Sequence, residues 1–175
     1  MARPRARLDT EALARAFAGD GLHGTPIEQV AAAAGIAKPT LYQRFGDKEE
    51  LFALAVEAEV ERLVQRVDDA RRAPGDPLSA LAHALDEYVA AAPAGARLLL
   101  CTARHGRSRV AARVERSLRR IPDALAAPLD SEALAAALLG GAQAALSGGP
   151  PVRELARLLA PATPAEAPPA DIWTA

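Results

Sequence analysis

The chain has 175 residues, of which 50% are hydrophobic and only 3% aromatic, and its formal net charge is −1. This length is enough to bury a core in one or two small domains, and a composition rich in alanine, leucine and valine favours closely packed helices. There is no run of about 18 apolar residues, so we expect neither a membrane span nor a secretion signal. The single Cys101 excludes an intrachain disulfide and fits a reducing, cytoplasmic location.

Residues 25–50, TPIEQVAAAAGIAKPTLYQRFGDKEE, predict two short helices joined by a tight turn, with a third helix behind them. Thr25, Pro26 and Glu28 have the spacing of a helix N-cap, a first-turn proline and a capping-box acid. The first helix should end at Gly35, because glycine adopts the left-handed backbone of a helix end without strain. Such a pair is a helix-turn-helix unit, whose second helix usually lies in the major groove of DNA.

The second helix of the pair should run from Lys38 to Phe45. Leu41 and Phe45 would then point inward, which leaves the polar side chains on the outer face. Gly46 should end this helix, and Asp47 should open a long helix with a second capping box. The alternative is a helical hairpin that touches no DNA.

The run GIAKPTLYQRFGDKEELF resembles the signature of the tetracycline-repressor (TetR) family of one-component bacterial regulators, and the resemblance extends over residues 8–54. It implies that the helix from Lys38 to Phe45 is the recognition helix. The contacts that it implies are phosphate contacts by Thr25, Tyr42 and Lys48, and contacts to base edges or the adjoining backbone by Lys38, Pro39, Thr40 and Gln43. The family often has serine where this chain has Ala37, and replacing a capping residue by alanine typically costs about 1 kcal/mol.

Each of these side chains also has an ordinary structural explanation. Tyr42 could cover the helix pair, and Lys48 could be a solvated lysine in the first turn of a helix. Gln43 could read adenine with two hydrogen bonds or be a common surface residue, and Thr40 could touch a thymine methyl or fill surface.

A basic arm precedes the first helix over residues 1–8, with arginine at positions 3, 5 and 7. Such an arm can track phosphates or enter a minor groove, and it can equally be an ordinary disordered terminus. Asp9 should cap the first helix, and Leu8 and Leu13 stand at the positions of a hydrophobic staple around that cap.

We assign residues 9–54 to a helix-turn-helix domain, called the reader below, and residues 55–160 to a helical effector-binding and dimerisation domain. Turn signals divide the second domain. They predict that the long helix opened by Asp47 ends near Arg72. Further helices should cover residues 78–92, 96–104, 133–146 and 152–159. Between the second and third of these, an arginine-rich helix should fade near residues 122–128. The proline-rich tail 161–175 should be disordered, and Trp173 is its unusual residue.

The stretch from Arg97 to Arg120 is strongly basic, with Glu115 as its single acid. Within it, apolar residues at helical spacing should form a stripe along one side of a helix, and arginines should form a stripe along the opposite side. A solvated helix face is the ordinary interpretation of the arginine stripe. The alternatives are attraction to DNA, to an anionic effector, or to acidic helices of a neighbour.

Small residues mark the last two helices, where Gly140 and Gly141 allow close backbone approach and leucines provide apolar area. Pairing with the same helices of a second chain would form a four-helix bundle with two-fold symmetry. The alternative is that these helices complete the core of one chain.

Catalytic and metal motifs are missing from the sequence, so we expect neither an enzyme nor a cofactor. Cys101 and His105 stand four apart and make at most a thin metal site. The candidates for an effector cavity are His83, Glu87, Tyr88, Leu99, Cys101 and Gln143, together with Asp86.

These observations predict an all-α, homodimeric, DNA-binding transcriptional regulator. We expect a repressor that binds a palindromic operator and is released by a small-molecule effector of unknown identity. The alternative is a helical dimeric module that binds a ligand or a protein and does not read DNA.

Overall fold

The computed structural model describes residues 8–102 and 108–160, and for Cys101 and Thr102 it describes the backbone alone. Regular structure in these residues is helical. In chain order the helices are α1 Thr10–Phe17, α2 Gly21–Gly24, α3 Ile27–Ala34, α4 Lys38–Phe45, α5 Lys48–Arg72, α6 Pro77–Ala91, α7 Pro93–Arg97, α8 Ala111–Leu129, α9 Glu132–Leu146 and α10 Val152–Leu159, with a π-helical turn at Leu98–Thr102. Residues 1–7 of the basic arm, the tail with Trp173, and His105 lie outside the described residues.

The reader packs α1, α3 and α4 against the first turns of α5. Leu13, Val30 and Leu41 are fully buried, and the Phe17 and Phe52 rings meet edge to face with their centroids 5.2 Å apart. Edge-to-face pairs place the positive ring edge against the negative ring face, which stabilises them beyond their buried area. This aromatic contact joins α1 to α5.

The predicted caps of α1 and α5 are confirmed. The Asp9 carboxylate accepts the backbone N–H of Ala12 at 2.9 Å, and Asp47 accepts that of Glu50 at 2.9 Å. Leu8 packs against the core next to the first cap. Local capping chemistry therefore sets where both helices begin.

The predicted capping box at Thr25 is wrong. Pro26 occupies the N-cap position of α3, and no side chain caps this helix. Thr25 is only 1% exposed, and its hydroxyl donates to the carbonyl oxygen of Gly21 at 2.7 Å. A hydroxyl that is shielded from water needs a hydrogen-bond partner within the protein. The backbone carbonyl four residues earlier supplies that partner, so the hydroxyl does not cap α3.

The prediction that the arginine-rich helix fades near residues 122–128 is also wrong, because α8 continues through Pro122 and Pro128 to Leu129. A proline inside a helix removes one hydrogen-bond donor and crowds the preceding turn. Around these prolines α8 buries Ile121 and Leu125, and this apolar packing offsets the lost backbone bond.

Helices α6, α9 and α10 begin and end within a few residues of their predicted positions. The predicted helix over 96–104 is replaced by α7, which starts at Pro93, and by the π-helical turn. Proline is well suited to the first position of a helix, where its missing N–H would have no helical partner. Pro93 therefore starts α7 three residues before the predicted helix.

A carboxylate is buried where α5, α6 and α7 meet. Glu59 is fully buried, and its Oε2 accepts the Tyr88 hydroxyl at 3.0 Å. Its Oε1 lies 2.9 Å from Arg62 Nη2. A Cβ added to Gly95 would lie 2.3 Å from Oε2, so α7 can approach this carboxylate closely only with glycine there. Burial raises the pKa of Glu59 above the ordinary value of 4.5, against the opposing effects of Arg62 and of the Tyr88 hydrogen bond.

We expect the replacement Glu59→Gln to change how stability depends on pH. A carboxyl group whose folded-state pKa is raised stabilises the fold below its unfolded pKa and loses that contribution as the pH rises towards the folded value. Glutamine keeps the shape and the acceptor for Tyr88 but cannot ionise. In urea unfolding at a series of pH values, the stability of the variant relative to the wild type should therefore increase as the pH rises above the ordinary value of 4.5. A variant that instead loses relative stability with rising pH would show that the ionised form is the preferred one.

Candidate nucleic-acid interface

Helix α4 presents one polar face to solvent. Its exposed side chains are Lys38, Pro39, Thr40, Tyr42, Gln43 and Arg44. Leu41 on the opposite face is fully buried, whereas Tyr42 is 45% exposed. The buried leucine fixes the helix on the reader core and so holds this face outward.

The turn before α4 has the predicted geometry. Gly35 has φ 63° in the left-handed region, and the N–H of Ile36 donates to the carbonyl oxygen of Ala31 at 3.1 Å. Ala37 takes the N-cap position of α4 without a side-chain hydrogen bond. The start of α4 therefore has no side-chain cap.

Lys38 forms an ion pair that the sequence did not indicate. Its Nζ donates to Glu28 Oε1 at 2.5 Å, and both side chains are largely exposed. The hydrogen bond between them raises the pKa of Lys38 and lowers that of Glu28. The two residues lie ten positions apart on different helices, so only the fold brings them together. A DNA phosphate at Lys38 would compete with Glu28.

Thr25 and Lys48 are linked to each other. Lys48 Nζ donates to the backbone carbonyl of Thr25 at 2.9 Å, which ties the first turn of α5 to the start of α3. The Thr25 hydroxyl is turned inward, with the carbonyls of Gly21 and Ala16 as acceptors. The phosphate contacts expected of both residues stay predictions, and that of the Thr25 hydroxyl would require it to leave these acceptors.

Behind the exposed face, α8 meets the start of α5 through arginines. We call this set of contacts the arginine clamp, and it consists of Arg109, Arg113 and Arg120 on α8 and the preceding turn, with Asp47, Glu49, Glu50, Glu57 and Glu61 as their partners. The arginine stripe is therefore largely paired within its own chain. The sequence signal was the acidic spacing of Glu50, Glu57 and Glu61, which repeats on one face of α5.

The effector candidates do not lie in one place. His83 and Glu87 line a surface pocket of about 300 Å³ between α5 and α6, together with Arg66 and four alanines. Tyr88 is buried against Glu59, and Leu99 is buried in the π-helical turn. Gln143 is exposed on α9, and the side chain of Cys101 lies outside the described residues.

Asp86, the remaining polar candidate, has a structural role. Its Oδ1 accepts the backbone N–H of Val152 at 2.6 Å, and its Oδ2 accepts that of Arg153 at 3.1 Å. A carboxylate at a helix start satisfies otherwise unpaired donors and opposes the positive end of the helix dipole. Asp86 on α6 thus caps α10 across the tertiary structure.

The described residues 8–102 and 108–160 lack two kinds of feature. These residues contain no group of three or more His, Cys, Asp or Glu side chains placed to hold a metal ion. They also contain no helix that is long and apolar enough to cross a membrane.

Comparison with known proteins gives consistent matches. Residues 10–55 match the family described as bacterial regulatory proteins, tetR family. The HTH-type transcriptional activator FasR of Mycolicibacterium smegmatis is 32% identical over 77 residues, which is 44% of this chain and 35% of that relative. The match thus spans about a third of the length of this curated relative.

Solved structures share the fold over most of the chain. A TetR-like transcriptional regulator from Rhodococcus sp. RHA1 is 27% identical with a TM-score of 0.68, covering 90% of this chain and 94% of that one. The regulator FadR from Bacillus subtilis, solved in complex with stearoyl-CoA, is 14% identical with a TM-score of 0.66 and covers 86% and 92% of the two chains. The second likeness concerns the fold alone.

Proposed function

Because the chain belongs to the TetR family of bacterial regulatory proteins, we propose that it is a transcriptional regulator that binds duplex DNA through α4. The observation that carries the proposal is the exposed polar and aromatic face of α4, held outward by the buried Leu41. A helix of this kind fits the major groove, where side chains reach base edges. The reader over residues 9–54 supplies the contacts to DNA, and residues 55–160 supply dimerisation and the response to an effector.

Within the α4 face we divide the roles by chemistry. Tyr42 and Lys48 hold phosphates, which position the protein without selecting a sequence. Lys38, Pro39, Thr40 and Gln43 meet base edges or the adjoining backbone. Gln43 is the residue of this set that can form two hydrogen bonds with adenine.

The variants Tyr42→Ala and Gln43→Ala test this division. Duplexes selected by the wild type from a random pool serve as probes in fluorescence anisotropy titrations. Tyr42→Ala should weaken binding to every duplex alike. Gln43→Ala should instead relax the preference at one base pair per half-site, by about 1–3 kcal/mol if its contact is bidentate. Gln65→Ala, an exposed glutamine on α5, is the matched control and should change neither. Wild-type affinity in both α4 variants would remove α4 from the DNA interface.

We propose that the chain acts as a homodimer joined through α9 and α10. Leu158 is 83% exposed, and α9 turns a row of small side chains outward that includes Ala136, Gly140 and Ala144. A Cβ at Gly140 would meet nothing within 4 Å, whereas one at Gly141 would lie 2.9 Å from Leu155 Cδ2. Gly140 therefore faces away from its own chain, and Gly141 packs α9 against α10. A flat face with an exposed leucine beside it suits a two-fold helix bundle.

The two adjacent glycines give a matched test of assembly in sedimentation velocity. Gly140→Glu places a charge on the proposed dimer face and should shift the chain towards monomer at micromolar concentration. Gly141→Val should lower thermal stability, because its branched side chain would overlap Leu155 and Val152, and should leave the mass dimeric. A monomeric wild type, or a Gly140→Glu variant that stays dimeric, would rule out this face.

Repression is the simplest outcome for such a dimer, because a protein bound over a promoter excludes polymerase without any further contact. The curated relative FasR is named an activator, so the sign of regulation needs its own measurement. In a promoter-reporter fusion, we expect deletion of the gene for this chain to raise expression. A fall in expression would identify an activator.

We propose that the effector is a small amphipathic molecule that binds the pocket between α5 and α6. Ala70, Ala73, Ala80 and Ala84 form apolar walls, and the polar side chains that line the pocket are Arg66, Asp69, His83 and Glu87. The related FadR of Bacillus subtilis was solved with stearoyl-CoA, so acyl compounds are the first class to test. The pocket of about 300 Å³ suits short chains.

Filling this pocket should abolish the response to effector. With a panel of short-chain and medium-chain fatty acids and their CoA esters, we expect a compound that releases DNA from the wild type. Ala80→Phe should bind DNA normally and ignore that compound, whereas Ala90→Phe, at an exposed position of the same helix, should respond normally. If Ala80→Phe keeps its response, or no compound in the panel releases DNA, the pocket is not the effector site for this class.

A further inference from the structure

Arg113 on α8 is held by two carboxylates of α5. Its Nε and Nη2 donate to Glu57 Oε1 and Oε2 at 2.5 and 2.6 Å, and its Nη1 donates to Glu50 Oε1 at 2.5 Å. Glu57 takes the Nε–Nη2 edge of the planar guanidinium, and Glu50 takes Nη1. Hydrogen bonds in this fixed geometry are more directional than a single ion pair. Hydrogen bonds to Glu57 and then Glu50 raise the pKa of Arg113. About a third of each of the three side chains is exposed, so the contacts are shielded only in part from solvent.

The position of these contacts in the fold is specific. Glu50 lies in the first turn of α5, directly after the Asp47 cap and close to Gly46, where α4 ends. Arg109 contacts Asp47 itself, and its backbone N–H donates to Glu49 Oε2 at 2.9 Å. The arginine clamp therefore grips the junction between the recognition helix and α5.

A third contact continues the same line further along the two helices, where Arg120 Nη2 meets Glu61 Oε2 at 2.8 Å. Later residues of α8 pair with later residues of α5, so the two helices run in the same direction. Under the charges, Val114 and Ile121 of α8 are buried. The apolar contact sets the distance between the helices, and the ion pairs set how one can slide or rotate along the other.

We propose that Arg113 is a positioning residue for DNA binding, which through Glu50 and Glu57 fixes the orientation of the reader relative to the helical body. The proposal rests on the proposed function, since it concerns how α4 is presented to DNA. Arg113 itself lies on the seam between α8 and α5 and not on the exposed face of α4. Its effect reaches DNA through the first turn of α5.

Arg113 can affect DNA binding because a DNA site accepts only some orientations of the reader. Without the directional contacts, α5 and the attached α4 can adopt more orientations on α8, and a palindromic site accepts only a narrow set of them. The affinity of a protein is reduced by the fraction of molecules that are in the binding-competent state. Loosening the clamp should therefore weaken DNA binding even though no contact to DNA is removed.

The variant Arg113→Met tests this, because methionine keeps an unbranched stem and loses the guanidinium. Its matched control is Arg116→Met on the same helix. Arg116 is exposed, and it forms no ion pair among the described contacts. We expect Arg113→Met to bind a selected duplex about tenfold more weakly, within the range known for mutations that alter coupling between sites. Arg116→Met should stay near the wild-type affinity.

Four further measurements separate positioning from other roles. The slope of log affinity against log salt should match the wild type, because that slope counts phosphate contacts and Arg113 supplies none. Stoichiometric titration should give a full active fraction, which a merely misfolded variant would not. Arg113→Lys, which keeps the charge but not the bidentate geometry, should recover part of the affinity. Adding Glu57→Gln to Arg113→Met should cause little further loss, since the partners act as one unit.

Hydrogen–deuterium exchange gives a readout without DNA. Amides over residues 47–57 should exchange faster in Arg113→Met than in the wild type and in Arg116→Met. A wild-type chain that binds no duplex would contradict the proposed function, and the exchange result would then decide on the clamp alone. If the wild type binds and Arg113→Met matches Arg116→Met in affinity, the positioning role is overturned. Tighter binding by Arg113→Met would overturn it as well, because the clamp would then hold the reader away from its binding orientation.

Discussion

The burial of one long helix is the constraint on which the rest of the structure depends. Helix α5 spans 25 residues, or about 38 Å at the usual rise per residue, and it carries buried residues from Leu51 to Val67. Its first turns close the core of the reader through Phe52, and its later turns pack against α6 and α8. The same rigid element thus belongs to both halves of the chain. A tilt of α5 against the body changes the direction in which α4 faces.

Charge is distributed to serve this arrangement. A net charge of −1 is low for a DNA-binding protein, and much of the positive charge is paired with acidic side chains of α5 or, in the case of Arg153, with Asp86. Even Lys38 on the exposed face is paired, with Glu28. The proposed DNA binding therefore depends on close contacts of α4 and the first turn of α5 more than on the net charge. In the proposed homodimer, two copies on one site would double these contacts.

The sequence predicted the features that depend on neighbouring residues. The glycine turn at Gly35, the end of α4 at Gly46, and the caps Asp9 and Asp47 are local chemistry. The family resemblance added which helix should face DNA. These signals are sufficient to predict an all-α chain with an N-terminal helix-turn-helix, and the structure confirms that prediction.

Features that depend on tertiary contacts were not predictable in this way. Thr25 is buried by residues of α1 and α2, so its hydroxyl bonds there and does not cap α3. Pro122 is tolerated inside α8 because the helix is held by packing. The pairing of Arg113 with α5, and the burial of Glu59 under Gly95, need two or more distant segments to meet. For the effector candidates the same reason applies, since spacing along α6 does not show which side chains face the core.

In the proposed dimer, two copies of α4 bind one DNA duplex while the rest of the chain holds them at a fixed separation. Hydroxyl-radical footprinting of the wild-type protein on DNA flanking its own gene tests this arrangement. We expect two protected patches related by two-fold symmetry, with their centres separated by about one helical turn of DNA, roughly 34–36 Å, or by a multiple of it. A single protected patch, or no protection at protein concentrations where the chain is dimeric, would contradict it.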